Sequence, residues 1–262
     1  SDVYKRQNIA YANEVDKDLL TTEYYLSYDL DNDQLMYYKN IDDTIAPASL
    51  TKLMTSLILI ENYKLSDYIE ISLPSDYTYE GKVAYLKPGQ TMTIESLLEF
   101  ILIYSANDAC FAVAQLFNEN NNEFLNLMNK RAKQLGMRST NFENPDGLDQ
   151  EGHYTTLNDL LILSKEVINN YELLSIIMRQ SFISNIEGED KVYLNTNKLI
   201  DRNFYGLKTG WTNNAGLTFI GLNQSNDRNI LTIVNKSFVN KKKDNHFTVS
   251  YTHLTLPTTG SV

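Results

Sequence analysis

The chain has 262 residues, 42% of them hydrophobic, which suits one large domain or two small ones and a real core, since chains of this size bury ~70–75% of their extended surface. A net charge of −10, from 33 acidic and 23 basic residues, argues against a nucleic-acid partner, which needs a basic face. The single cysteine, Cys110, excludes an internal disulfide, three scattered histidines offer no zinc site, and no apolar run reaches the ~18 residues of a membrane span.

In chain order, the first stretch reads as foreign. Ser1–Gln7 (SDVYKRQ) is the translation of the DNA TCAGATGTGTATAAGAGACAG, and Val249–Leu254 (VSYTHL) is a translation of its reverse complement. Residues 1–7 and 249–262 are therefore expected to be adapter-derived artefacts, with a single catalytic domain over 8–248. On that expectation a signal peptide, further domain or membrane anchor would lie outside the stretch in hand.

Tyr24–Tyr28 and Gln34–Lys39 are β-prone, with Asp29–Asp33 between them, which predicts a hairpin. Pro47 precedes an apolar run that predicts a helix over residues 48–62. Residues 63–92 read as irregular, with strand-like pieces in YIEIS and VAYLKPGQTMT. Thr93 can cap a helix over Ile94–Tyr104, and helices over Asn107–Phe117 and Asn122–Leu135 follow. LGMRSTNFENPDGL is loop, turning at Asn144–Gly147. Thr156 can cap another helix through Ile168, and Tyr171–Met178 gives a short one. Strands then take over: SFISNI, KVYLN, FYGLKTG, AGLTFIGLNQS and RNILTIVNKS, the last two joined at Ser225–Asp227. NKKKDNHF reads as the entrance to a further helix, cut short before it closes the fold. Strands, helices, then strands predict an α+β domain: an antiparallel sheet built from both chain ends, with flanking helices and an inserted all-helical lobe.

Three motifs carry chemistry. Ser49 and Lys52 form the S-x-x-K of the chain, and a spacing of three brings them to one helix face. A serine hydroxyl is a weak nucleophile until a base takes its proton. A lysine among apolar residues prefers to be neutral, because desolvation penalises the ammonium. Alone, the pair is weak evidence, because lysines near helix starts usually reach solvent. Ser105 and Asn107 form S-x-N at a junction of two helices, although Ser139 and Asn141 match the same pattern in a loop. Lys208-Thr209-Gly210 ends a strand, where Gly210 lets a ligand approach the backbone and the lysine and threonine offer a charge and a hydroxyl to an anion.

S-x-x-K, S-x-N and K-T-G in that order are the signature of serine acyl-transferring penicillin-recognising enzymes. Residues 8–248 resemble the serine D-alanyl-D-alanine carboxypeptidases, the low-molecular-mass penicillin-binding proteins. The segments APASLTKLMT, ILIYSANDAC, LGMRSTNFENPDGLDQEGHYTT and GLKTGWTNNAGLTFIG carry the likeness. The resemblance implies a catalytic set of Ser49, Lys52, Ser105 and Asn107, and a substrate-binding set of Lys208, Thr209, Gly210 and Trp211. Ser49 would be the nucleophile and Lys52 its base. Ser105 would relay a proton to the leaving amine, and Asn107 would orient Lys52 and the substrate. Lys208 and Thr209 would hold a terminal carboxylate, with the Ser49 and Trp211 amides as the oxyanion hole. Lys208 is further expected to lower the basicity of Lys52 by like-charge repulsion.

The resemblance also implies a peptidoglycan stem peptide as substrate, β-lactam antibiotics as inhibitors, no metal or cofactor, and action outside the cytoplasm, with a membrane anchor in a missing C-terminal part. Asp146 and His153 are read as shaping their loop. Trp211 stands where some relatives carry histidine, and only its backbone is given a role. Two rivals remain open: a β-lactamase, against which the chain lacks an E-x-x-L-N segment, and a penicillin-sensing or scaffold domain that acylates without turnover.

Overall fold

The computed structural model describes residues 22–117, 121–186, 188–200, 204–225 and 227–237. The two expected adapter segments, NKKKDNHF, and His246 and His253 lie outside the described residues.

Strand β1 (Tyr24–Asp29) pairs with β2 (Gln34–Lys39) as the tyrosine-rich pattern requires, with a register shift between Ser27 and Tyr28. At the other end of the chain come β7 (Phe204–Thr212), β8 (Gly216–Ser225) and β9 (Arg228–Ser237). The five form one antiparallel sheet in the order β2-β1-β9-β8-β7. The first hairpin thus docks on the last strand, Leu26 opposite Ile233, and the sheet is built from both ends of the chain as expected.

Between the halves of the sheet run α1 (Lys52–Asn62), α2 (Ile94–Leu102), α3 (Asn107–Phe117), α4 (Asn121–Leu135), α5 (Leu157–Asn169) and α6 (Tyr171–Ile177). Every residue of α1 from Lys52 to Ile60 is buried. This continuous burial marks it as the helix at the centre of the molecule. One apolar cluster joins Leu26 and Ile233 of the sheet to Leu53 and Leu57 of α1 and to Ile101 and Val113 of the lobe.

The expected helix starts are present. The side-chain oxygens of Thr93, Thr156 and Asn170 accept hydrogen bonds from the amides of Ser96, Asp159 and Leu173, at 3.1, 3.1 and 3.0 Å. Each satisfies a donor that the first helical turn leaves free. Arg131 of α4 ties three helices together, reaching Glu61 of α1 at 2.6 Å and Glu166 of α5 at 2.8 Å.

Two expectations need correction. Residues 48–62 are not one α-helix. Ala48–Thr51 is a 3-10 turn and the α-helix begins at Lys52. Ala48 sits at φ +49°, and the turn at Gly147 presses on its carbonyl so closely that a Cβ at 147 would lie 1.8 Å from that oxygen. The chain therefore enters the helix tightly wound. Second, SFISNI and KVYLN do not belong to the main sheet. They form a separate hairpin, β5 (Ser181–Ser184) with β6 (Lys191–Leu194), and β3 (Tyr68–Glu70) and β4 (Thr91–Thr93) form another pair. The hairpin has its own packing partners. Phe182 and Tyr193 stack on each other and meet Phe100 of α2 edge-on, with centroids 4.9–5.0 Å apart.

Replacing Thr156 with alanine is expected to cost ~1 kcal/mol, which for a domain of this size is a fall in Tm of about 2–4 °C. A thermal melt of the Thr156→Ala protein checks it, and an unchanged Tm would deny the cap its role.

Candidate active site

The 3-10 turn settles where Ser49 and Lys52 meet. In such a turn residues i and i+3 eclipse, and Lys52 Nζ lies 2.8 Å from Ser49 Oγ. Lys52 is fully buried, yet its amine is not short of partners. Nζ also donates to Asn107 Oδ1 and to the carbonyl oxygen of Asp146, each at 2.8 Å. Asn107 is fixed in that orientation because its Nδ2 donates to the Glu80 carbonyl at 2.8 Å.

All three direct partners of the amine are uncharged oxygens. Two of them can only accept, so they claim two N–H groups whatever the charge on the nitrogen. Burial holds the Lys52 ammonium below the ordinary lysine range, and the nearby Cys110, Asp146 and Asp108 oppose that shift. Losing a proton leaves a lone pair directed to the remaining partner, the Ser49 hydroxyl. The same burial pushes the Asp146 carboxyl up, so both groups are driven towards their neutral forms.

Opposite stands β7. Lys208 Nζ donates to Ser105 Oγ at 2.8 Å and to the Thr209 carbonyl at 2.9 Å. Lys208 is only 2% exposed; it stands behind the wall of the cleft, and Ser105 lies between it and the open space. Burial, then the charges of Lys52 and Lys82, press Lys208 well below the ordinary lysine range. The expected lowering of Lys52 by Lys208 needs correction: Lys208 is not among the groups that shift Lys52, and it is Lys208 that is lowered. Thr209 Oγ1 donates to Thr196 Oγ1 at 2.6 Å.

The strand approaches the nucleophile through Gly210. A Cβ there would sit 2.7 Å from Thr218 Oγ1, 2.9 Å from the Ser49 amide nitrogen and 3.2 Å from Ala48 Cβ. Only glycine lets β7 lie so close to the turn that carries Ser49. Ser105 holds φ +66°, a conformation that costs a residue with a side chain about 1–3 kcal/mol and that turns its hydroxyl to Lys208.

These groups converge on an open cleft of about 810 Å³, lined by Ser49, Ser105, Asn107, Thr209, Gly210 and Trp211 among others. Trp211 is 60% exposed at its rim. The rival S-x-N match is elsewhere: the Ser139 amide donates to Asp159 and Asn141 Nδ2 to Glu143 and Gly152, bonds that shape a loop. His153 also shapes the loop. Its Nδ1 accepts from the Glu143 amide at 2.9 Å and its Nε2 meets Thr51 Oγ1 at 2.9 Å, while burial lowers it to about 4. Cys110 is buried and its thiol is raised to about 12 by that burial, as expected of an inert core residue. Among the described residues, no three His, Cys, Asp or Glu side chains gather as metal ligands, and no helix is long and apolar enough to cross a membrane.

Residues 11–238 match the family Peptidase_S11, D-alanyl-D-alanine carboxypeptidase. The chain belongs to this family. It is 38% identical over 196 residues to D-alanyl-D-alanine carboxypeptidase DacF of Bacillus subtilis, a match covering 71% of this chain and 49% of that protein. Against D-alanyl-D-alanine carboxypeptidase DacC of Escherichia coli it is 31% identical over 209 residues, covering 74% and 51%. The chain thus spans about half the length of these relatives. Among solved structures, penicillin-binding protein D2 from Listeria monocytogenes in its ampicillin-bound form superposes with a TM-score of 0.77 at 26% identity, covering 90% of this chain and 97% of that one. The D-alanyl-D-alanine carboxypeptidase from Mycobacterium tuberculosis H37Rv gives 0.80 at 25%, covering 92% and 93%.

Two contributors to this carboxypeptidase-family site were not foreseen. The Asp146 carbonyl holds Lys52, and the Glu80 carbonyl holds Asn107. Both are backbone groups, so residue type carries no signal for them. The only hint was Gly147, whose φ of +92° lets the Asn144–Gly147 turn press against the chain at Ala48.

Gly210→Ala is expected to slow acylation by a fluorescent penicillin about 10–100-fold, the scale of a small misplacement of reacting groups, and to cost ~1–3 kcal/mol by overpacking. Stopped-flow labelling beside a thermal melt checks both; a normal acylation rate would show that β7 need not approach Ser49 so closely.

Proposed function

We propose that this chain hydrolyses the terminal D-Ala-D-Ala bond of peptidoglycan stem peptides through an acyl-enzyme on Ser49, and that β-lactams trap the same serine. The observation that carries this reading is the environment of Lys52: a buried amine with two fixed acceptors and one hydroxyl. As the Ser49 oxygen attacks the carbonyl carbon of the penultimate D-alanine, its proton passes to Lys52 Nζ. The oxyanion is received by the Ser49 and Trp211 amides, each donor of this kind being worth about 3–4 kcal/mol in other hydrolases.

Ser105 passes a proton to the leaving D-alanine amine and regains one from Lys52, which returns to its neutral form, with Lys208 behind Ser105 as the polarising charge. The C–N bond breaks and an ester remains on Ser49. Water then attacks the ester, Lys52 takes its proton and returns it to Ser49 Oγ as the ester bond breaks, and the shortened peptide leaves. Thr209 and the Lys208–Ser105 pair take the terminal carboxylate, which restricts cleavage to chain ends. An incoming carboxylate also offsets the repulsion that presses Lys208 towards its neutral form. Asn107 orients Lys52 and the substrate amide. The edge of β7 pairs with the extended peptide as an added strand.

The substrate places the reaction outside the cytoplasm, at the cell wall. The domain responsible is residues 8–248.

Ser49→Ala is expected to abolish covalent labelling by penicillin and release of D-alanine from a D-Ala-D-Ala peptide. Lys52→Ala is expected to slow both by about 10²–10⁴-fold, the usual contribution of a positioned base. Mass spectrometry of the intact protein after penicillin G, with the modified residue mapped, and a D-alanine assay measure these. Labelling of the Ser49→Ala protein would refute the nucleophile. Labelling of the wild type without D-alanine release would favour a penicillin sensor.

A further inference from the structure

Asp108 follows Asn107 at the start of α3 and is fully buried. The mechanism above gives it no part. An aspartate is hardly ever fully buried unless it is paired, and the partners of this one are backbone amides. Oδ1 accepts from the Ala84 amide at 2.9 Å and Oδ2 from the Leu86 amide at 2.8 Å. Both oxygens therefore reach across to a neighbouring stretch of chain. Burial pushes the carboxyl up, and these amides oppose the shift. Tyr85, between the two amides, is held at φ +59°. A residue with a side chain stays in that conformation only where its surroundings over-determine it, and the two bonds to Asp108 bracket it.

The fastened stretch is the one that orients Asn107. Its Glu80 carbonyl accepts from Asn107 Nδ2 at 2.8 Å, and its Lys82 carbonyl accepts from the Asn107 amide at 2.7 Å. Gly81, between them at φ +69°, packs so closely that a Cβ would lie 2.7 Å from Asn107 Nδ2. Residues 80–86 are thus tied by four hydrogen bonds to two consecutive residues, Asn107 and Asp108. This matters to the buried amine. A side-chain amide has an acceptor at one end and donors at the other. The Glu80 carbonyl at Nδ2 selects the orientation that turns Oδ1 to Lys52. If the stretch shifted, that selection would be lost, and Nδ2 could face the amine, donor against donor.

We infer that Asp108 is a positioning residue for acylation: its carboxylate clasps residues 84–86 and, through the Glu80 and Lys82 carbonyls, fixes Asn107 as an acceptor for Lys52. The inference rests on the reading above of Ser49 as nucleophile and Lys52 as base, and adds a residue that acts at one remove from that base. A carboxylate that merely stabilised the lobe would affect acylation independently of Asn107. A clasp that works through Asn107 has nothing left to position once that side chain is removed, and such coupling shows as non-additivity.

The test is a double-mutant cycle read by stopped-flow labelling with a fluorescent penicillin, on the wild type, Asp108→Asn, Asn107→Ala and the double variant. Asparagine keeps the shape of Asp108 but accepts from one amide only and turns a donor to the other. Under excess penicillin the rate is first-order, so an unfolded fraction lowers the amplitude and not the rate. Rates are taken on the plateau of the pH profile, where loss of the Asp108 charge, which raises Lys52, does not enter. Asp108→Asn is expected to slow acylation about 10–100-fold and to slow the Asn107→Ala protein no further. Should Asp108→Asn fail to fold, Gly81→Ala tests the same stretch, since its Cβ would press on Asn107 Nδ2; the same loss and the same dependence on Asn107 are expected. An unchanged rate, or an equal fold-loss with and without the Asn107 side chain, overturns the positioning role and leaves nucleophile and base standing. No labelling of the wild type overturns the acyl-enzyme reading, and the inference with it.

Discussion

One buried nitrogen organises this molecule. Lys52 opens a helix whose buried stretch runs from Lys52 to Ile60, and an ammonium there would carry a large desolvation cost. The fold meets that cost with oxygens rather than with a hydrogen-bonded carboxylate. Asn107 comes from the helical lobe, the Asp146 carbonyl from the loop before α5, and Ser49 from the turn below. Three separate segments therefore have to be in place before the amine is satisfied. A carboxylate partner would have fixed the positive charge, whereas neutral acceptors let burial set the protonation state.

The same requirement explains the strained and glycine positions near the site. Ala48 and Ser105 both lie at positive φ, Gly147 sits under the Ala48 carbonyl, and Gly210 sits against the Ser49 amide. These close approaches pull the sheet, the lobe and the loop onto one turn of chain. Strain of this kind persists only where its surroundings over-determine it. Here the surroundings include a single apolar cluster that runs from the sheet through α1 into the lobe.

Much of this was legible in the sequence, for identifiable reasons. Thr93 and Thr156 announced helix starts, and the tyrosine-rich segments announced a hairpin, because caps and period-two patterns are local signals. That one sheet is built from both ends of the chain followed from the order of strands and helices; that β1 pairs with β9 did not. The separate hairpin at Phe182 and Tyr193 did not, because a strand's pattern does not say which surface it packs on. At the site, the spacing of Ser49 and Lys52 and the order of the three motifs were readable, since side-chain identity carries that chemistry. The Asp146 and Glu80 carbonyls were invisible because any residue supplies a carbonyl. Lys208 was expected to offer its charge to an anion, but its burial behind Ser105 depends on how β7 packs against the lobe, which no local pattern encodes.

The central claim is that burial makes Lys52 a weaker base than an ordinary lysine before any substrate arrives. The most direct measurement is NMR of protein labelled with ¹³C at lysine Cε, the Lys52 signal being assigned by its loss in Lys52→Arg. The account predicts a signal whose titration midpoint is displaced downwards from that of a free lysine. A Lys52 signal that titrates near the free-lysine value of about 10.4 would contradict it.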